Sequence, residues 1–204
     1  STEEAFICAM LHRLGKHLAI FYFPEEFEQV NKLMGQKGVD EEAACRSVLG
    51  ISYEELGDGV ARTWRFPEKI VRSMRSLPKG KVEKPKSEEN MLCTLSNFSN
   101  ELCQIIGSAG GEEGEKALAS ILKRFEGSLS ISKDTVCDLL DSAKEKIETY
   151  SEALSINTRK SRFLSKVAGY SRDPDRKAPT IPGPASGGEK GDMDSQFYHT
   201  LEIQ

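Results

Sequence analysis

Few side chains in this sequence can bind a metal or move a proton near neutral pH: three histidines and five cysteines in 204 residues. One of them stands inside an apolar stretch. His12 is followed by Arg13, Gly15 and Lys16 within Ala5 to Pro24, AFICAMLHRLGKHLAIFYFP. A histidine on a buried helix face is either part of a metal or catalytic site, or simply packed and hydrogen-bonded. A metal site needs several convergent histidines or carboxylates, and the other histidines are His17 and His199, so the packed reading carries more weight. Cys8, Cys45, Cys93, Cys103 and Cys137 are odd in number and have no C-x-x-C spacing. They fall on predicted apolar helix faces, which argues for reduced, buried thiols in a cytoplasm. Gly107-Ser108-Ala109-Gly110-Gly111 has no lysine in the phosphate-loop place and ends a helix rather than following a strand, so no nucleotide site is expected there. Neither a nucleophile elbow nor a carboxylate cluster is evident.

The elements that would position His12 are helical. Phe6, Ile7, Met10, Leu11, Leu14, Leu18 and Phe21 recur at helical spacing too broad for a thin surface stripe, so this run is expected in the core. Pro24 followed by Glu25 and Glu26 starts a helix reaching about Met34, broken by Gly35 and Gly38. Asp40 caps the next, with Ala43, Ala44, Val48 and Leu49 on its buried side and Gly50 at its end. Ser52 and Glu55 have capping-box spacing, and Leu56, Val60 and Trp64 are expected to face inward from the helix they open. Pro67 begins a helix whose Ile70, Val71 and Met74 pack inward.

The motif at His12 acquires a context from what surrounds it. Leu11-His12-Arg13-Leu14-Gly15-Lys16 resembles the Leu-His-Asp-Ile-Gly-Lys box of the HD superfamily of metal-dependent phosphohydrolases. Tyr22 to Phe27 (YFPEEF), Leu49 to Gly57 (LGISYEELG) and Trp64 to Ile70 (WRFPEKI) follow in order. Together these landmarks resemble the HDOD branch, the output-type HD-related domain of bacterial signalling proteins, over residues 3 to 78 and in its later part. In catalytic HD proteins the His-Asp pair ligates a divalent metal; here the aspartate position is Arg13, a permanent cation with no lone pair to donate. Tyr53, and the pair Ser76-Leu77, stand where the branch tends to carry histidines. The resemblance therefore implies an all-α, HD-like bundle that kept its scaffold and lost hydrolysis: no catalytic residue, no cofactor and no metal, with His12 and Arg13 as degenerate box positions. Arg13 is expected to fill the metal's space, paired with a carboxylate such as Glu54, Glu55 or Asp58.

Four parts are expected: residues 1–78, the HDOD-like half; 79–87, a proline-, glycine- and lysine-rich linker; 88–170, an additional helical layer; and 171–204, a disordered tail. The extension holds a helix from Met91 to Ile106 capped by Ser87, another around Ala117 to Phe125, and a long one from Ser132 through Leu154. The apolar stripe of this last helix, over residues 133–156, is the candidate cover for the first half or the seam of a homodimer. Asn157 to Tyr170 is amphipathic and basic, and Gln196 to Ile203 regains aromatic character as a docking peptide or a disordered end. Because the HD-like box follows so few residues, and the first residue is Ser1, the chain reads as a fragment of a longer protein.

A net charge of -4 and a pI near 5.6 give no basic footprint for nucleic acid. No apolar run approaches a membrane span, and no signal peptide is expected. The reading is a cytoplasmic, non-catalytic signal-transduction module that contacts other signalling domains or proteins. The alternative is an HD-type phosphohydrolase with ligands outside this segment.

Overall fold

A computed structural model describes residues 1–108, 111–155, 158 and 161–170. All lie within a compact unit running from Ser1 to Pro174. The expectations for residues 171–204, and for Asn157, Arg159 and Lys160, fall outside the described residues. Among the described residues there are ten helices and no strand: α1 (Thr2–Leu11), α2 (Leu14–Tyr22), α3 (Pro24–Lys37), α4 (Glu41–Leu49), α5 (Tyr53–Thr63), α6 (Glu68–Ser73), α7 (Glu88–Ser108), α8 (Gly111–Phe125), α9 (Lys133–Ala153) and α10 (Arg162–Ala168). The chain is all-α, as its sequence implies.

The boundaries follow from local chemistry. The Ser52 hydroxyl accepts from the Glu55 N–H while the Glu55 carboxylate accepts from the Ser52 N–H, satisfying two orphan donors at the start of α5. Asp40 caps α4, Ser132 caps α9, Ser161 caps α10, and Pro24 opens α3. Gly38 and Gly50, at φ +60 and +78, end α3 and α4, a backbone region that glycine enters without steric cost. Gly35 does not break α3 but lies inside it: one glycine in fourteen residues costs about 1 kcal/mol of propensity, too little to end a helix that packing supports.

Three apolar clusters form the interior. Ala19, Val30, Ala44, Cys45 and Tyr53 join α2 to α5. Leu14, Ala61, Val71 and Met74 join α2, α5 and the end of α6. The largest, built on Phe98, Leu102, Ile106, Leu118, Ile121, Phe125, Val136 and Leu140, belongs to α7, α8 and α9. Helix α7 is the element shared by both parts, since α1 and α6 pack on one side of it and α8 and α10 are among its other neighbours.

Four sequence expectations are corrected. The run from Ala5 to Pro24 is not core all round: it kinks at Arg13 (φ -109, ψ 29), burying Cys8, Leu14, Gly15 and Ala19 while Phe6, Met10, Phe21 and Tyr22 lie exposed. An apolar residue is often exposed, and hydrophobicity alone could not say which face was covered. Trp64 is 55% exposed, because α5 buries Tyr53, Gly57 and Ala61 rather than Leu56, Val60 and Trp64. Beyond Tyr53 the packed face is made of small residues, and Gly57 admits a neighbouring backbone. Of the cysteines, Cys8, Cys45 and Cys137 are buried, but Cys93 is only partly so and Cys103 is exposed. Finally, α7 rather than α9 meets the first half: α9 buries Val136, Cys137 and Leu140 against its own layer and leaves Leu139, Tyr150 and Leu154 exposed. A 3-4 stripe longer than the surface available to it necessarily ends in solvent.

Candidate functional site

The kink at Arg13 places the polar residues of the first stretch beside α4 and α5. Gly15 makes this possible: a Cβ there would sit 1.8 Å from the Tyr53 carbonyl oxygen and 2.7 Å from the Gly57 nitrogen, and one on Gly57 would meet the Gly15 nitrogen at 2.9 Å. The two helices therefore touch backbone to backbone, and only glycine fits at the crossing. Above this contact opens a cleft of about 450 Å³ lined by His12 and Arg13 at the kink, by residues of α2, α4 and α5, and by the segment after α6.

His12, at the end of α1, is partly buried. Its Nδ1 donates to the Ser73 carbonyl oxygen at 3.1 Å, since a carbonyl can only accept; that leaves Nε2 with its lone pair. Burial lowers its pKa most, the Ser73 carbonyl opposes this, and the neighbouring Arg13 adds to the lowering. Arg13 Nη2 lies 3.4 Å from Glu41 Oε2, and Lys16 Nζ holds the other oxygen of the same carboxylate. Arg13 also reaches Gln104 on α7 at 3.5 Å. The partner of Arg13 is thus Glu41, in the first turn of α4, and not Glu54, Glu55 or Asp58. Asp58 is committed to Arg62 and Glu55 to Arg46, while Glu54 accepts the Ser76 N–H at 3.1 Å.

Tyr53 is 8% exposed and packs in the α2–α5 cluster beside Phe27, with Lys16 Nζ 5.9 Å from its ring centroid. Its hydroxyl is buried without a hydrogen-bond partner, and burial together with Cys45 and Glu41 pushes its pKa up to about 12. Ser76 and Leu77 are held from opposite sides, the first by Glu54 and the second through its N–H by Asn97 Oδ1 at 3.0 Å.

The HD resemblance implies a divalent metal, and the donor set does not fit one. Among the described residues no three His, Cys, Asp or Glu side chains converge on a common point. The carboxylates nearest His12 are bound to cations or to a peptide N–H, and Arg13 and Lys16 bring two positive charges to the place where a dication would need negative ones. The structure brings His12, Arg13 and Tyr53 of the sequence-stated positions into one cleft, with Ser76 at its rim. Sequence reasoning missed Glu41, Arg46 and Asn97. A glutamate in a first helical turn reads as an ordinary dipole-stabilising acid, and nothing in its spacing announces a partner 25 residues away.

Residues 1–78 match the family model described as HDOD domain, so the first part of the chain is similar to HDOD domains. A protein of Treponema pallidum (strain Nichols), described as uncharacterized, is 21% identical over 72 residues. The match covers 35% of this chain and 14% of that relative, so the chain spans much less than two thirds of it. No solved structure matches. Among the described residues, no helix is long and apolar enough to cross a membrane.

Proposed function

We propose that this chain is a non-catalytic signal-transduction module of the HDOD type, an all-helical scaffold that receives a change of state and passes it to other domains or proteins in a bacterial cytoplasm. The observation that carries this is Arg13. It stands where the catalytic box needs a ligand, and its guanidinium is engaged with Glu41 alongside Lys16. Three of the four carboxylates lining the cleft, Glu41, Glu42 and Glu55, are likewise paired to cations, which supports a cleft that holds no metal. Partners are other signalling domains or a second copy of the chain; exposed Leu139 and Tyr150 on α9 and Leu154 at its C-terminal cap offer the latter a surface. The other reading, a phosphohydrolase completed by ligands outside this segment, draws on one feature: a histidine whose Nδ1–H is anchored to a backbone carbonyl is oriented as metal-binding histidines commonly are.

Titration of the purified chain with Mn²⁺ and Zn²⁺ by calorimetry, together with a phosphodiester hydrolysis assay, separates the two. The scaffold reading expects no stoichiometric ion and no turnover. One or two metal ions per chain with His12 as a ligand would overturn it.

A further inference from the structure

We infer that the segment from Ser73 to Val82 mechanically couples the cleft to helices α7 and α8, so that what happens at Glu54 is read out at Arg124. The inference rests on the relay reading above and names the part of the chain that performs the relay.

The segment begins at the last residue of α6 and runs without regular structure, and its backbone groups are held alternately from two sides. From the cleft side, His12 donates to the Ser73 carbonyl at 3.1 Å and Glu54 accepts the Ser76 N–H at 3.1 Å. From the other side, Asn97 of α7 donates to the Arg75 carbonyl at 2.9 Å and accepts the Leu77 N–H at 3.0 Å. Arg124 of α8 then takes three carbonyls, Leu77 at 3.4 Å, Pro78 at 2.8 Å and Gly80 at 3.0 Å, and its own carbonyl accepts the Val82 N–H at 2.8 Å. Val82, the one apolar anchor in a lysine-rich stretch, is 7% exposed in the core of α7 to α9.

Arg75 and Ser76 are the decisive pair. The Arg75 carbonyl and the Ser76 N–H belong to one planar peptide unit, yet the N–H is fixed to Glu54 of α5 and the carbonyl to Asn97 of α7. A planar unit gripped at both ends transmits rotation, because it has no soft dihedral with which to absorb it. Asn97 cannot yield either, being 4% exposed with a further bond from Nδ2 to the Cys93 carbonyl. Arg124 is equally tied, its guanidinium bound to Glu101 as well as to the segment. Glu54 is the movable member. Of the four carboxylates lining the cleft, Glu41, Glu42 and Glu55 are each paired to a cation, whereas Glu54 is exposed and holds a peptide N–H.

The test is residue-resolved amide hydrogen exchange on the full chain. Glu54→Ala is expected to accelerate exchange at Leu77 and Val82, which Glu54 does not touch, by about fivefold, the factor one ordinary hydrogen bond is worth, while Val30 in α3 keeps its rate. The reciprocal variant Arg124→Met is expected to accelerate exchange at Ser76. Acceleration confined to Ser76 in the first variant, no effect at Ser76 in the second, or equal acceleration at Val30 overturns the coupling. Metal binding or hydrolysis would overturn the scaffold reading yet leave these exchange rates unaffected, so the two failures are distinguishable.

Discussion

Arg13 and Glu41 approach to 3.4 Å across 28 residues of sequence, with Lys16 on the second carboxylate oxygen. The three side chains remain roughly a quarter to a third exposed, so the arrangement neutralises the cleft more than it stabilises the fold. Arg13→Met is accordingly expected to change stability by less than about 1 kcal/mol in denaturant titration. Arg13→Asp, which restores a His-Asp pair, is expected to bind Mn²⁺ no tighter than a Kd of about 100 μM, because no third ligand converges with it. Tight stoichiometric binding by that variant would show that Arg13 alone had blocked a metal site.

His12 is expected to matter for stability. Removing it leaves the Ser73 carbonyl without its donor and opens a void beside Met74, so His12→Ala is expected to cost about 1–3 kcal/mol. An unchanged melting temperature would contradict this. The sign of its pH dependence follows from the lowered pKa. The unfolded chain binds a proton at about 6.5 that the folded chain resists, so stability falls as pH drops below about 6.5 and levels off beneath the folded value. His12→Gln, which retains a donor but cannot be protonated, is expected to flatten that limb. Glu55 and Glu68 are depressed by the Ser52 N–H and by Arg72 respectively. Their contributions are lost only further down, below about 4.3, so the two limbs separate in a pH series.

Tyr53→Phe is expected to stabilise the protein. The hydroxyl is buried with no partner, a state that costs about 1–3 kcal/mol, and phenylalanine fills the same space beside Phe27 and Cys45. A melting temperature that falls on this substitution would mean the hydroxyl has a partner in solution.

The helices were largely legible in the sequence because caps and breakers are local: Ser52 with Glu55, Asp40, Pro24, Ser132 and the glycines at positions 38 and 50 all act within one turn of chain. The HD-like box and its order of landmarks were legible for the same reason. Faces were not. On α5 the sequence pattern favoured Leu56, Val60 and Trp64, while the structure buries Tyr53, Gly57 and Ala61, since the decisive contact is a close backbone approach that rewards the absence of a side chain. Which carboxylate meets Arg13 was equally hidden. Glu54, Glu55 and Asp58 are nearer along the expected family layout, but each is committed elsewhere, and Glu41 is brought in only by the packing of α3 and α4 on α2.

Trp64 provides a spectroscopic check on that register. As the sole tryptophan, 55% exposed and tilted against Phe66 at 5.8 Å between centroids, it should be readily quenched by acrylamide in the native state and shift little on unfolding. Trp64→Ala should cost no more than about 1.5 kcal/mol, the upper value for such an aromatic pair. A blue-shifted, protected tryptophan would restore the face read from the sequence and overturn the packing of α5.

Gly15 and Gly57 give the sharpest test of the same contact. A methyl group on Gly15 would overlap the Tyr53 carbonyl oxygen at 1.8 Å and crowd the Gly57 nitrogen at 2.7 Å. These are backbone atoms that cannot rotate aside, so α2 must move bodily away from α5 and loosen the clusters around Leu14 and Ala19. Gly15→Ala is expected to cost about 3 kcal/mol or more, at or beyond the upper range for overpacking. Gly59 lies on the same helix as Gly57, but nothing stands within 4 Å of its added Cβ. Gly59→Ala should therefore stabilise by about 0.5–1 kcal/mol through helix propensity and reduced freedom of the unfolded chain. Two glycine-to-alanine changes are thus predicted to move the denaturation midpoint in opposite directions. If Gly15→Ala proved neutral, α2 and α5 would not cross at this point, and the cleft containing His12, Arg13 and Lys16 could not have the shape described.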